Sequence, residues 1–292
     1  WVTIVLFSPS ISARRVNLRN ASTLSNRSAV AALQSKLQSH CPLSLIGQVL
    51  NFDVLTPAAT LRIAAVTPFT SIDFPGKLSA VVFLRGCPWR CSYCHNRWMR
   101  SRRSQEGDPN WAGIEALLKK RKGLLDGIVF SGGEPCMDPA LPSAVRLVKD
   151  EGYLVGLHTS GAYPRHLKEC IGLVDWVGLD VKGNPDNPQA FDAIAGISGA
   201  HKAFMESFEI IRQAGTKFEA RTTAHPDFLS ENDLIAIAGW LRKRGADTYA
   251  IQIYRKAPGV ETVYDPVPEA WPSAATIEAV KAIIPHFTLR RE

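Results

Sequence analysis

The sequence has no long hydrophobic run. Nothing in it approaches the ~18 uninterrupted apolar residues of a membrane span, and the opening stretch Val2–Phe7 is far too short. Cysteine is sparse: six in 292 residues, at positions 41, 87, 91, 94, 136 and 170. That density excludes the disulfide framework of a small secreted domain. The basic excess is modest, a formal +7, and a nucleic-acid face would need more charge than this in one place. Acids are scarce only at the start, where Asp53 stands against Arg14, Arg15, Arg19, Arg27 and Lys36. With 46% hydrophobic and 21% charged residues, the chain has material for a full globular core.

Residues 1–60 are rich in Ser, Asn and Arg and show little periodicity. Ala29–Gln38 could form a short helix. The rest is expected to be poorly ordered, or a non-native extension. The chain begins with Trp, so a fragment, a processed product or a translated upstream stretch all fit. So does the acid-poor composition of an organelle transit peptide. The regular pattern begins at Leu61, and residues 61–292 are expected to form the folded domain.

From there short apolar runs alternate with helical stretches. Strands are predicted at Ala80–Leu84, Gly127–Phe130, Tyr153–His158, Trp176–Asp180, Phe218–Thr223 and Tyr249–Tyr254, with a final edge strand at Phe287–Leu289. Helices are predicted over Trp111–Lys122, from Asp138-Pro139 to Glu151, and over Arg165–Ile171, His201–Gln213, Ser230–Arg244 and Ser273–Ile284. Asp138 reads as an N-cap with Pro139 at the first helical position. Ser230–Asp233 reads as a capping box. This alternation predicts an α/β protein with a parallel sheet, either doubly wound or a partial barrel. Six repeats are too few for a closed eight-fold barrel. In both cases the chemistry belongs at the carboxyl ends of the strands, and six polar strand ends, the last at Gln252–Arg255, are expected around one cavity.

The chemically distinctive residues fall at those ends. Cys87, Cys91 and Cys94 form a C-x3-C-x2-C loop just beyond the first predicted strand. Three thiolates can hold three irons of a cubane and leave the fourth open. A Cys3His zinc site using His95 is the alternative. Adjacent Cys94 and His95 would strain to reach one ion, and no second half-site is present. Gly132-Gly133-Glu134-Pro135 follows the second predicted strand. It is either an ordinary turn or one where the backbone nears a ligand and Glu134 meets a cationic group. Asp180 and Lys182 end the fourth, with side chains expected to diverge. They fit either a bound zwitterion or a surface ion pair. His158 fits a hydrogen-bonded interior residue or a pocket residue. Cys136 and Cys170 read as small buried residues. Arg97, Arg100, Arg102 and Arg103 form either a solvated loop or a contact for an acidic partner.

The C-x3-C-x2-C loop with Tyr93 before its last cysteine, followed by the GGEP turn, resembles the radical S-adenosylmethionine (SAM) superfamily. More narrowly, Ile63–Asn96, with its lead-in Asp73-Phe74-Pro75-Gly76-Lys77 and its exit Cys94-His95-Asn96, resembles the anaerobic ribonucleoside-triphosphate reductase activating proteins, which are glycyl-radical-enzyme activases. The resemblance runs from about Leu61 to the C-terminus. It implies a partial (β/α)6, TIM-like barrel in the cytoplasm and a [4Fe–4S] cluster on Cys87, Cys91 and Cys94. It implies SAM held by Gly132, Gly133 and Glu134 at its amino group. Tyr93 and His95 would lie against the adenine. Thr159, Ser160, Asp180 and Lys182 would lie near the carboxylate or ribose. It further implies flavodoxin or ferredoxin as electron donor, a 5′-deoxyadenosyl radical, and a glycine Cα of the anaerobic reductase as its target. No membrane and no direct nucleic-acid contact are expected. Two other readings stand beside it: a radical SAM enzyme for a small molecule, as in deazapurine or cofactor biosynthesis, and a zinc-stabilised nucleic-acid-binding module.

Overall fold

The computed structural model describes residues 57–256 and 264–291. One eight-stranded sheet organises them, with strands in chain order from β1 to β8. These are β1 (Ile63–Thr70), β2 (Ser79–Leu84), β3 (Gly127–Gly132), β4 (Leu154–Thr159), β5 (Trp176–Asp180), β6 (Lys217–Ala224), β7 (Thr248–Ile253) and β8 (His286–Arg290). β1 pairs antiparallel with β2, and every later neighbour is parallel. β1 and β8 are the free edges, so the sheet does not close. The helices are α1 (Trp111–Lys120), α2 (Leu141–Asp150), α3 (Pro164–Cys170), α4 (Pro188–Ala195), α5 (Ala200–Ala214), α6 (Glu231–Lys243) and α7 (Ala274–Ile283). None is long and apolar enough to cross a membrane.

The central strands are apolar on both faces because both are covered. Ala80, Val81, Val82 and Leu84 of β2 are all solvent-free. Outside, helices bury one stripe each. Leu234, Ile237, Ala238 and Leu241 of α6 fall at helical spacing and are buried. Trp240 joins them and meets Phe208 edge-on at 4.7 Å. Inside, Phe74, Val81, Val129 and Trp176 form a second cluster. Ser230 caps α6 as expected. Its Oγ accepts from Asp233 N–H while the Asp233 carboxylate accepts from Ser230 N–H.

The strand order agrees with a partial barrel, and three local readings change. β1 is an additional strand; its Pro68 is tolerated because the strand lies at an edge. α4 is an additional helix, capped by the Asn187 side chain and ended by Gly196 at φ 69°. Asp138 does not cap α2, which starts three residues later without a side-chain cap. Asp138 is instead buried, accepting from Ala140 N–H and Arg62 N–H and pairing with Arg102. The possible helix Ala29–Gln38 and Cys41 lie outside the described residues. So does most of the 1–60 segment, but Pro57–Thr60 form a 3-10 turn whose Ala58 is part of the core.

Candidate active site

β2 delivers the chain to Gly86, which adopts φ +103° and turns it into the cysteine loop. The loop is pinned on three sides. Gly86 N–H and Cys87 N–H donate to the carbonyls of Met99 and Arg100, and Arg90 N–H donates to Ala195 at the end of α4. The Arg90 guanidinium reaches back to the carbonyl oxygens of Cys87, Pro88 and Trp89. Behind the loop, Arg85 is 1% exposed and pairs with Asp108.

The GG turn explains itself by what surrounds it. A Cβ on Gly132 (φ +120°) would meet Leu84 N at 2.3 Å, and one on Gly133 would meet the Gly86 carbonyl oxygen at 2.4 Å. The glycines therefore let the end of β3 press against the root of the cysteine loop. Two hydrogen bonds fix the contact: Gly133 N–H to Leu84 and Glu134 N–H to Gly86, at 3.0 and 2.8 Å.

Glu134 differs from its expected role. It is wholly buried and is not part of the cavity wall. One carboxylate oxygen accepts from Cys136 N–H (3.0 Å) and Thr159 Oγ1–H (2.7 Å). The other accepts from Ser160 N–H (2.9 Å) and Ser160 Oγ–H (2.6 Å). With four donors of its own chain, the carboxylate ties the end of β4 to the turn after β3. The Thr159 and Ser160 hydroxyls donate to it, which leaves their oxygens as acceptors toward the cavity.

The cavity measures about 220 Å³ and lies beyond the carboxyl ends of the strands. Cys87, Cys91 and Cys94 are free thiols and all line it. So do Tyr93, His95, Gly132, Gly133, Thr159, Ser160, Asp180, Lys182 and His158. Trp89, Asn96, Arg100, Ser131 and Thr223 complete it, of which the strand-end rule pointed only to Ser131 and Thr223. The sixth expected strand end, Gln252–Arg255, is not among its walls.

Asp180 and Lys182 do not diverge. Lys182 Nζ donates to Asp180 Oδ2 at 2.8 Å, with the lysine side chain 12% exposed. Alternate residues of an extended chain share a face, which is why they meet. Burial works against the Lys182 charge, yet Asp180, Tyr93 and Cys91 outweigh it and its pKa lies well above the usual lysine value. Burial, aided by the Glu134 charge, pushes the Cys87 thiol up to about 12, and burial also raises Cys91. Ligation needs thiolates, so loading this loop must expel protons.

These residues fit a cluster and SAM. Tyr93 stacks on Phe228 at 4.9 Å, and His95 Nε2 is buried without a hydrogen-bond partner. Such an atom at a cavity wall awaits a ligand. Among the described residues no three His, Cys, Asp or Glu side chains converge on one metal ion. A cubane places each thiolate on a different iron and needs no such convergence.

Comparison with known proteins agrees with this geometry. Residues 81–240 match the radical SAM superfamily. A protein of Methanocaldococcus jannaschii named for glycyl-radical enzyme activation is 29% identical over 212 residues, covering 70% of this chain and 85% of that one. The pyruvate formate-lyase-activating enzyme of Clostridium pasteurianum is 30% identical over 190 residues, covering 60% and 73%. Among solved structures, QueE from Escherichia coli superposes with a TM-score of 0.51 at 15% identity, over 80% of this chain and 94% of that one. Streptococcus suis SuiB bound to S-adenosylmethionine gives 0.56 at 13%, over 70% and 48%. These two likenesses bear on the fold alone. The superfamily's cofactors are a [4Fe–4S] cluster and SAM. The chain is an enzyme of the radical SAM superfamily and belongs to its glycyl-radical-enzyme activases.

Proposed function

We propose that this enzyme generates the glycyl radical of an anaerobic ribonucleoside-triphosphate reductase in the cytoplasm, with flavodoxin or ferredoxin supplying the electron. The target rests on the lead-in Asp73–Lys77 and the exit Cys94-His95-Asn96. The cytoplasm keeps thiols reduced, as an iron–sulfur loop requires. The observation that carries the cofactor assignment is the convergence of three free thiols and the GG turn on one cavity at the strand ends.

In this reading Cys87, Cys91 and Cys94 hold the cluster. The Gly132–Gly133 backbone receives the SAM amino group. Lys182, held by Asp180, receives the carboxylate, and Tyr93 and His95 border the adenine. Glu134 acts from behind, by holding the Thr159–Ser160 wall in place. When bound, the two cofactors supply reductive cleavage of a sulfonium bond and a carbon radical able to take a hydrogen atom. The chain's own task is to orient SAM and exclude competing reactions.

Anaerobic incubation of the reconstituted enzyme with SAM, reductant and the reductase tests this, read by electron paramagnetic resonance. A glycyl radical signal is expected. SAM cleavage with no radical on the reductase would overturn the target. A signal arising instead on pyruvate formate-lyase would reassign it.

A further inference from the structure

The arginines that follow the cysteine loop are not used by the cavity chemistry, Arg100 apart. Residues 87–107 carry five arginines against the single acid Glu106, a net +4 in a chain of +7. Among the described residues, Arg90, Arg97, Arg100 and Arg103 make no ion pair; Arg102 alone pairs, with Asp138. Arg90, Arg97 and Arg103 are exposed. Two of these are fixed rather than free. Arg90 is bound to three carbonyls of the cysteine loop, and Arg97 donates to the Ser92 carbonyl at 2.6 Å. Trp98, next to Arg97, is 48% exposed, with the buried Arg85 guanidinium 5.4 Å from its ring. An exposed tryptophan held from beneath and next to an immobilised arginine has the composition of an interface anchor. The arginines are already ordered, so binding would cost little side-chain entropy.

We infer that this face docks an acidic one-electron donor protein, placed directly over the loop assigned to the cluster. The inference rests on the cluster reading of Cys87, Cys91 and Cys94. Charge complementarity selects the occupant: uncompensated arginines favour an acidic partner and steer its approach. Position selects the same one, because the donor must come close to the cysteine loop, whose carbonyls hold Arg90 and Arg97. The transfer passes one electron from the donor's reduced flavin or iron–sulfur centre to the cluster and moves no atoms.

Arg97→Gln, Arg103→Glu and Trp98→Ala test it. The amide introduced by Arg97→Gln can still donate to the Ser92 carbonyl, and Arg103 has no side-chain bond to lose among the described residues. The reconstituted full chain is titrated with purified acidic flavodoxin at low and moderate salt, and SAM cleavage is driven in parallel by flavodoxin or by dithionite. Wild-type binding is expected to weaken about tenfold or more between 50 and 200 mM salt. Arg97→Gln with Arg103→Glu should weaken it about tenfold or more at low salt and slow flavodoxin-driven cleavage alike, while dithionite-driven cleavage and iron content stay at the wild-type level. Unchanged flavodoxin binding in the double variant and in Trp98→Ala would overturn the proposal. So would normal flavodoxin binding with glycyl radical formation lost under dithionite, which would give the face to the target protein. Wild-type enzyme that cleaves no SAM even with dithionite would instead overturn the cluster reading itself.

Discussion

Replacing Glu134 by Gln should destabilise the protein before any cofactor is added. The two carboxylate oxygens each accept one backbone N–H and one hydroxyl, Cys136 and Thr159 on one side, Ser160 twice on the other. A glutamine keeps one acceptor oxygen and gains an NH2. A hydroxyl facing that NH2 can rotate and accept from it. A backbone N–H cannot. Either orientation of the amide therefore strands one buried N–H, Cys136 or Ser160, at a cost of about 1–3 kcal/mol. Exchanging charged for neutral acceptors adds about 1 kcal/mol. The total is about 2–4 kcal/mol for Glu134→Gln, and more for Glu134→Ala, which strands both N–H groups in a solvent-free site. Against a typical stability of about 5–15 kcal/mol this is a large fraction. Urea denaturation of the cofactor-free chain measures it directly. If Glu134 were an exposed ligand for the SAM amino group, Glu134→Gln would be near neutral in that assay and weaken SAM binding alone. A change below about 0.5 kcal/mol would therefore refute the strut and restore the direct contact.

Cys87→Ala, Cys91→Ala and Cys94→Ala should each lose bound iron after anaerobic reconstitution, while Cys136→Ala and Cys170→Ala keep it; iron analysis decides. Lys182→Ala should retain iron but bind SAM about 30-fold to several-thousand-fold more weakly, the equivalent of about 2–5 kcal/mol for a lost charge contact, as read by equilibrium dialysis. Wild-type affinity would place the carboxylate elsewhere. His158 faces the Asp73 carbonyl, Arg221, Trp176 and the Asp180 charge, and burial with the Arg221 charge lowers its pKa to about 4. The unfolded chain takes up this proton near pH 6.5 and the folded chain does not, so stability falls as pH drops from about 6.5 to 4, by up to about 3 kcal/mol. His158→Gln should flatten that part of the stability–pH curve, and an unchanged slope would remove His158 as its source.

The parallel strands were legible because burial on both faces leaves short apolar runs that little else explains, such as AVVFL at 80–84 and GIVF at 127–130. The cysteine loop was legible because three thiols within eight residues have few other uses. α4 was also within reach, with Asn187 before Pro188 and Gly196 after Ala195, but its eight residues are too short for periodicity to stand out. What a single sequence could not show was direction. Glu134 carries a charge beside two glycines, which suggests a ligand, yet its partners Thr159 and Ser160 lie 25 and 26 positions away, at and just past the end of the next strand. Asp138 failed in the same way: Asp-Pro is a strong local helix signal, and the distant backbone of Arg62 claimed the carboxylate.

The lead-in Asp73-Phe74-Pro75-Gly76-Lys77 served as a family marker, and the packing supplies its physical reason. The segment lies between β1 and β2, at the end of the sheet opposite the cysteine loop. Phe74 turns inward and stacks on Trp176 at 5.7 Å. It fits because Gly127 and Gly156 carry no side chains: a Cβ on either would stand 3.1 to 3.3 Å from the Phe74 ring. Asp73 secures the turn, accepting from Thr70 Oγ1–H at 2.7 Å, and its carbonyl oxygen lies 2.9 Å from His158 Nε2. His158 in turn borders the cavity. The motif thus forms an apolar floor, with one polar contact leading up to the wall where SAM is proposed to bind. A reactive radical requires that water be kept out, and an aromatic plug beneath the cavity meets that need without contributing a ligand. Its value is steric, which is why glycines on two neighbouring strands belong to the same device.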